Sequence, residues 1–299
     1  MRTLVAEPDL LGDGPIWNEK TARLAWLDIV GKRLSSCNED GSQLQRRSLP
    51  ETPGSHADRI GGGRLIAFRR RIALFDAAGA EERSITPCCV DSSRERFNDG
   101  ACDNRGRFWV GTMDRYLREP VGALYRIEPD YSSTRVATGF GISNGIAWSP
   151  GFERLYQCDS LFPRIYVYSY EASAGVVGEK RVFIEFTPKM GVPDGCTTDA
   201  EGCLWVAAPG IGRVLRFDGD GRLLDSIETP SPWPSSVAFG GSNMRTLFIT
   251  SLQPHENSTA PNSPARVGDS TRPPVCASDG RVFAEDAPVT GVMRHRFGG

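Results

Sequence analysis

A short apolar strand pattern recurs six times along this chain of 299 residues. Each copy follows a turn and carries large apolar side chains. The six copies are centred on Leu24, Leu65, Phe108, Leu155, Leu204 and Leu247. The spacings between them are 41, 43, 47, 49 and 43 residues, and such a period is typical of propeller blades that contain four strands each. The sequence therefore predicts an all-β fold, a six-bladed β-propeller.

The stretches between these copies also read as strands. The ranges 71–75, 122–127, 164–168 and 213–217 are rich in β-branched and aromatic residues, which favour strands. No helical period extends over several turns, and 33 glycines and 21 prolines interrupt the chain. We expect a single propeller domain over residues 1–299. Strands at 281–284 and 291–294 should close the last blade, with residues 3–5 pairing there to seal the ring.

One segment breaks the rhythm of the strands. Residues 253–279 contain five prolines and few apolar side chains, so we expect a long loop rich in Pro, Ser and Asn. This loop is either a surface insertion or a lid over the channel.

Composition limits the classes of partner that this chain is expected to bind. The formal net charge is −2, which is too small to favour nucleic acid or an anionic membrane. The chain shows neither the apolar core of a signal peptide near residue 1 nor a membrane span, so we expect a soluble cytoplasmic protein, monomeric or weakly homo-oligomeric. The eight cysteines form no Cys-x-x-Cys pair, which favours reduced structural thiols.

A polar or small residue precedes each strand core by about ten positions. These residues are Asp13, Ser55, Asn98, Asn144, Asp194 and the pair Ser235 and Ser236. Equivalent positions on the innermost strands of a propeller converge on its axis. A ring of carboxylate, amide and hydroxyl oxygens suits calcium, magnesium or manganese. The register thus predicts an axial metal site.

Each of these motifs also has a plainer interpretation. Asp-Gly and Asn-Gly are common turn dipeptides, so any one of them alone is compatible with a simple turn. Arg96 is a candidate for binding a substrate hydroxyl or carboxylate, but it is also compatible with a surface ion pair to Glu95 or Asp99. The chain has only three histidines, none at ligand spacing, which argues against a zinc site of the nitrogen and sulfur type.

Taken in order, several motifs resemble those of the senescence-marker-protein, regucalcin and gluconolactonase family. The matching segments are 11–17, 96–100, 108–113, 142–145, 193–195 and 238–241. The resemblance implies a six-bladed propeller with one divalent metal ion in its channel, calcium first, with zinc, manganese, magnesium and iron as alternatives. It also implies metal ligands at Asp13, Asn144 and Asp194, substrate contacts from Arg96 and Asn98, and Asp194 as general base.

Two residues depart from the pattern of that family. Its first motif normally has glutamate where Asp13 stands, and an apolar residue is usual where His56 stands. Both departures are expected to alter the metal site or the substrate mouth.

The leading functional hypothesis is metal-dependent hydrolysis of a sugar lactone, a gluconolactone-like aldonolactone, to its hydroxy acid. A small-molecule lactone is then the expected partner. Two alternatives remain open at this point: an organophosphate triester hydrolase, and a calcium-binding propeller without catalytic activity.

Overall fold

The computed structural model describes residues 1–87, 90–91, 93–254 and 275–299. Strands in these residues form six separate antiparallel sheets, each built around four main strands. The first strands of the sheets contact one another in a closed ring. The predicted all-β, six-bladed propeller is therefore confirmed, and the sheets are its blades.

The first strand, β1 (Arg2–Val5), lies apart from the strands that follow it in sequence. Blade one consists of β2 (Gly12–Asn18), β3 (Arg23–Asp28), β4 (Arg33–Asn38) and β5 (Gln45–Ser48). Blade two consists of β6 (Pro53–Asp58), β7 (Arg64–Phe68), β8 (Ile72–Phe75) and β9 (Glu81–Ile85). Blade three consists of β10 (Glu95–Cys102), β11 (Phe108–Asp114), β12 (Gly122–Ile127) and β13 (Ser133–Phe140).

The second half of the ring repeats this order. Blade four consists of β14 (Ser143–Trp148), β15 (Arg154–Asp159), β16 (Arg164–Glu171), the short β17 (Val176–Val177) and β18 (Arg181–Glu185). A 3₁₀ helix (Pro188–Met190) precedes blade five, which consists of β19 (Cys196–Thr198), β20 (Leu204–Ala208), β21 (Arg213–Phe217) and β22 (Leu223–Glu228). Blade six contains β23 (Pro234–Gly240), β24 (Thr246–Ser251) and β25 (Val282–Asp286).

Strand β1 completes blade six by pairing with β25, where Thr3 lies opposite Phe283. The predicted seal of the ring by residues 3–5 is thus confirmed. The predicted strand at 281–284 is found as β25. The prediction of a closing strand at 291–294 is wrong, because these residues form only one isolated bridge, between Gly291 and Asp199.

The apolar core is divided among the interfaces between neighbouring blades. The six recurring apolar residues all lie in the second strand of a blade and are buried. Six hydrophobic clusters each join two adjacent blades, including the pair formed by blades six and one. Trp26, Trp109 and Trp205 are completely buried in three of them, so these tryptophans pack between blades.

The six cysteines outside the vicinal pair at 88–89 are free thiols, and that pair lies outside the described residues. Most of the predicted loop at 253–279 also lies outside them. No helix in the described part of the chain is long and apolar enough to span a membrane.

Candidate functional site

The candidate site lies at one end of the channel, where the innermost strands begin. Asp13 and Asn144 are the second residues of β2 and β14, and Asp194 lies two residues before β19. Arg96 and Asn98 belong to the first half of β10. Since the innermost strands contact each other around the ring, the same end of the channel receives all five side chains.

The Asn-Gly and Asp-Gly dipeptides of blades one, three and four are not turns. They lie inside β2, β10 and β14, where the pairing register shifts between Asp13 and Ile16 and between Asn144 and Ile146, with a similar shift in β10. A β-bulge re-aims the side chains next to it. The interpretation of these dipeptides as simple turns is therefore wrong, and the bulges account for polar side chains at the axis.

The glycines of these dipeptides allow the inner strands to approach closely. A Cβ atom on Gly145 would lie 2.5 Å from the carbonyl oxygen of Asp194. Gly14 has a φ of +58°, a left-handed conformation in which a side chain is strained. Glycine is thus required beside Asn144 by the close approach of the neighbouring blade, and beside Asp13 by backbone conformation.

Hydrogen bonds connect the candidate residues of blades three and four and extend to the loop before blade five. Arg96 Nη1 donates to Asn98 Oδ1 at 2.9 Å, and Asn98 Nδ2 donates to Asn144 Oδ1 at 2.8 Å. Asn144 Nδ2 donates to Ser160 Oγ at 2.7 Å, whose hydroxyl donates to the Pro193 carbonyl at 2.6 Å. This chain of contacts links Arg96 to the residue that precedes Asp194.

The carboxyl groups in the channel influence one another strongly. Burial, followed by the negative charge of Asp99, raises the pKa of Asp13 to about 8. Burial and then the charges of Asp13 and Asp99 raise the pKa of Asp194 well above its usual value. Both shifts express the cost of holding several negative charges in a poorly solvated space.

Asp99 is a member of this group that the sequence did not single out. It is buried, with 6% of its surface exposed, and accepts a hydrogen bond from the N–H of Gly100 at 2.7 Å. Burial raises the pKa of Asp99, while the positive charge of Arg294 opposes that rise. The available signal was the Asn98-Asp99 pair itself, because a bulge can turn two consecutive residues toward the axis.

Arg96 is a partly buried cation at the same end. Burial, followed by repulsion from Arg69, lowers its pKa to about 10, and the charge of Asp13 partly offsets this. Its hydrogen bonds to described residues, to Asn98 and to the carbonyl of Phe97, both use Nη1. The sequence-based alternative of a surface ion pair to Glu95 or Asp99 is not found among the described residues, where Glu95 accepts from the hydroxyl of Thr112 at 2.6 Å and Asp99 from the N–H of Gly100 at 2.7 Å.

His56 and Asp13 are the two departures from the family pattern, and His56 holds the backbone next to Asp13 in place. Its Nδ1 lies 2.6 Å from Arg64 Nη1, and its Nε2 lies 2.7 Å from the carbonyl oxygen of Gly14. Because a guanidinium only donates and a carbonyl only accepts, Nε2 carries the proton. Burial lowers the pKa of His56 well below its usual value. The neutral imidazole thus fixes the peptide next to Asp13.

Blades two and six contribute hydroxyl groups to the ring. Ser55 and Ser236 are both buried, and their hydroxyl oxygens have no hydrogen-bond partner among the described residues. Ser235 instead faces its neighbouring blade, donating to the carbonyl oxygen of Gly12 at 2.5 Å. Negative charge in the ring therefore comes from blades one, three and five.

The donor set fits a hard divalent cation, because its oxygens carry a surplus of negative charge that burial makes unfavourable. Among the described residues, only Asp199, Glu201 and Cys203 bring three His, Cys, Asp or Glu ligand atoms within 4.8 Å of one another. In that cluster the cation is Arg216, which donates to Asp199 and Glu201. The carboxylates of Asp13, Asp99 and Asp194 do not form such a group of three.

The comparison with protein families agrees with this geometry. The family model described as the SMP-30/gluconolactonase/LRE-like region matches residues 11–253. The chain belongs to this family. The match extends from blade one into blade six, and it includes every candidate residue at the mouth of the channel.

Similar proteins cover nearly the whole chain. A 6-deoxy-6-sulfogluconolactonase of Pseudomonas putida is 35% identical, over 87% of this chain and 89% of that protein. Regucalcin of Danio rerio is 34% identical, over 83% of this chain and 85% of that protein. The solved structure of a calcium-binding protein, regucalcin, from Agrobacterium tumefaciens has a TM-score of 0.86 at 27% identity, over 99% of this chain and 96% of that one.

Proposed function

We propose that this protein is a metal-dependent lactonase, which hydrolyses a gluconolactone-like sugar lactone to the corresponding hydroxy acid. The observation that carries the proposal is the meeting of Asp13, Asn144 and Asp194 at one end of the channel, next to Arg96 and Asn98. Membership of a family that includes a named gluconolactonase supports the substrate class.

The proposed cation ligands are Asp13, Asn144 and Asp194, and calcium is the first candidate ion. Carboxylate and amide oxygens are the ligands that hard divalent cations prefer. When bound, such an ion polarises the lactone carbonyl and stabilises the negative charge that develops on its oxygen.

The protein's own residues then handle the substrate and the proton. Asp194 is the proposed general base, because burial and its acidic neighbours raise its affinity for a proton above that of an exposed carboxylate. Nη2 and Nε of Arg96 are directed to substrate oxygens, since the hydrogen bonds to Asn98 and Phe97 use Nη1. Asn98 holds both Arg96 and Asn144 in position.

The reaction consumes one water molecule. Its oxygen forms a bond to the lactone carbonyl carbon, and Asp194 accepts the proton that is released. The bond between that carbon and the ring oxygen breaks, and the ring oxygen receives the proton to become a hydroxyl group. The product is the open-chain hydroxy acid.

The test is a lactonase assay on purified protein that has been treated with chelator and then reloaded. Calcium, magnesium, manganese, zinc and ferrous iron are supplied in turn, with five- and six-membered sugar lactones and an aryl phosphotriester as substrates. We expect turnover of lactones with at least one ion. D194N should lose it, while D220N, a change at an exposed turn between β21 and β22, should retain it.

A second candidate function is favoured by the description of the Agrobacterium relative as a calcium-binding protein. Tight calcium binding without turnover of any lactone would reject the lactonase proposal in favour of a non-catalytic propeller. Turnover of the phosphotriester alone would reject the substrate class and keep the metal site.

A further inference from the structure

Two buried cysteines face each other across the boundary between blades four and five. Cys158 lies in β15, Cys196 is the first residue of β19, and both are free thiols in the same hydrophobic cluster. A Cβ atom on Gly145 would lie 2.9 Å from Cys158 Sγ and 2.8 Å from Cys196 Sγ. The two sulfurs are therefore no farther apart than the sum of these distances, and no side chain of Gly145 stands between them.

Both thiols are connected to proposed cation ligands through the backbone. Cys158 lies directly opposite Asn144 in the pairing of β14 with β15. Cys196 comes two residues after Asp194, whose carbonyl oxygen also lies against Gly145. A change in the distance between the two sulfurs therefore acts on the backbone that carries two of the three proposed ligands.

A small cavity leads to Cys196 from the end of the channel opposite the candidate site. Its volume is about 40 Å³, and its lining includes Cys196, Cys102 and Thr198. Met293, which is 45% exposed, also lines it, so the cavity reaches the surface. Since about 10–15 Å³ already holds one water molecule, this cavity also has room for hydrogen peroxide.

We propose that Cys158 and Cys196 are a redox modification site, at which a peroxide closes a disulfide between blades four and five. The bond draws β15 and β19 together and displaces Asn144 and Asp194 from the positions in which they share one ion. Formation of the bond is independent of the proposed function, whereas its effect on cation and substrate rests on that function.

The reaction uses hydrogen peroxide as the oxidant. The sulfur of Cys196 forms a bond to one peroxide oxygen, the O–O bond breaks, and a sulfenic acid and one water molecule result. The sulfur of Cys158 then attacks the sulfur of the sulfenic acid. The S–O bond breaks, and the hydroxyl group leaves with the proton of the Cys158 thiol as a second water molecule. The two sulfurs lose the two electrons that the peroxide gains, and dithiothreitol returns them.

The experiment treats the full chain with hydrogen peroxide, alkylates the remaining thiols after denaturation and maps the peptides by mass spectrometry. Trypsin leaves Cys158 in the peptide 155–164 and Cys196 in the peptide 190–213. Because the second peptide also contains Cys203, fragment spectra identify the linked sulfur. We expect a linked pair that joins Cys158 to Cys196, is lighter than the two free peptides by two hydrogen atoms and disappears after treatment with dithiothreitol.

Calcium affinity is measured by titration calorimetry before and after the peroxide treatment. We expect the affinity of the unmodified protein to fall by about tenfold or more, as when other groups that orient metal ligands are lost, and dithiothreitol to restore it. C158A and C196A should show no such fall. C102A is the matched control, because it removes a thiol that lines the same cavity but keeps the pair, so its affinity should still fall.

Two results would overturn the proposal. One is a peroxide-treated protein in which Cys158 and Cys196 are still alkylated, or in which Cys196 is linked to Cys102 instead. The other is a linked pair of Cys158 and Cys196 that leaves calcium affinity unchanged. Both measurements need only the unmodified chain, so they decide the question even if an alanine variant does not fold.

Failure of the proposed function gives a different pattern. If the reduced protein binds no cation or opens no lactone, the peptide map still decides whether the disulfide forms. A crystal structure of the peroxide-treated protein then shows whether Asn144 and Asp194 have moved, and unmoved side chains would contradict the proposal.

Discussion

Buried carboxylates in the blades and buried carboxylates in the channel differ in the hydrogen-bond donors around them. In the blades, Asp103 accepts hydrogen bonds from Arg107, Trp109 and Tyr170, and two backbone N–H groups reach its other oxygen. In the channel, the hydrogen bond that Asp13 accepts within the described residues comes from the N–H of Gly14, and burial raises its pKa.

The difference separates stabilising acids from reactive ones. Donors of the same blade and its neighbour satisfy the charge of a blade carboxylate, so it has no capacity left for a ligand. The axial carboxylates face one another across a channel, and their charge remains available to a cation. Burial alone therefore does not identify a functional carboxylate. A buried carboxylate that has few hydrogen-bond donors is the better indicator.

The largest expected effect comes from removing the charge of an axial acid. D194N should lower lactonase activity by about 10³-fold or more, because it removes a cation ligand and the general base together. The urea midpoint of the chelated protein should not fall, since one repelling charge is gone. Steady-state assays measure the activity, and urea unfolding of the same preparation measures the stability. Full activity in D194N would contradict the distinction between axial and blade carboxylates.

The matching change in a blade should have the opposite effect. D103N removes the charge that pairs with Arg107 and sets an amide N–H₂ group against N–H donors, so we expect a loss of about 3–5 kcal/mol in the free energy of unfolding. Calcium affinity should stay unchanged. Urea unfolding and calorimetry measure this, with D220N as a control for an exposed acid; weaker calcium binding in D103N would contradict the separation.

The dependence of stability on pH should also distinguish the two sets. A carboxyl whose pKa is raised on folding binds more protons in the folded state than in the unfolded one, so stability falls as the pH rises from its unfolded pKa through its folded pKa. For Asp13 this window extends from about 4 to about 8. The chelated protein should lose up to about 1.4 kcal/mol per pH unit for each such group.

Thermal unfolding between pH 5 and pH 8 in the presence of chelator measures this slope. D13N should flatten it, and added calcium should reduce it, because the ion favours the charged carboxylates. An equally steep slope in D13N would count against the account of the channel.

The smallest effect is expected from the residue that supports the loop next to Asp13. H56F keeps a ring at this position but removes the hydrogen bond to the Gly14 carbonyl. We expect calcium affinity to weaken by about tenfold, as for other groups that orient a metal ligand. Calorimetry tests this, and an unchanged affinity would show that Asp13 is fixed by other contacts.

Much of the fold was predictable, because the apolar spacing of the second strands reflects burial between blades. Residues such as Leu24 and Leu204 mark this spacing directly. The equivalence of positions 13, 144 and 194 followed from the same register. The hydrogen-bond partners of these side chains, such as Ser160 for Asn144, depend on how the chain folds around them. No local sequence pattern encodes such contacts.

Asp99 and Arg294 were missed for two different physical reasons. The register pointed to Asn98, and only the bulge in β10 brings the next residue to the axis as well. Arg294 lies in a segment without strand periodicity, whose path depends on tertiary contacts such as those of Phe297. The sequence pattern at 291–294 suggested a strand, but its backbone N–H groups donate to Thr198 at the end of β19 and to Met244 between β23 and β24.

The most direct test of the central claim is the position of a bound cation. A crystal grown with manganese gives an anomalous difference map in which each ion appears as a peak. The account predicts one strong peak in the channel, bounded by the side chains of Asp13, Asn144 and Asp194. A channel without a peak, or a dominant peak beside Asp199 and Glu201, would contradict it.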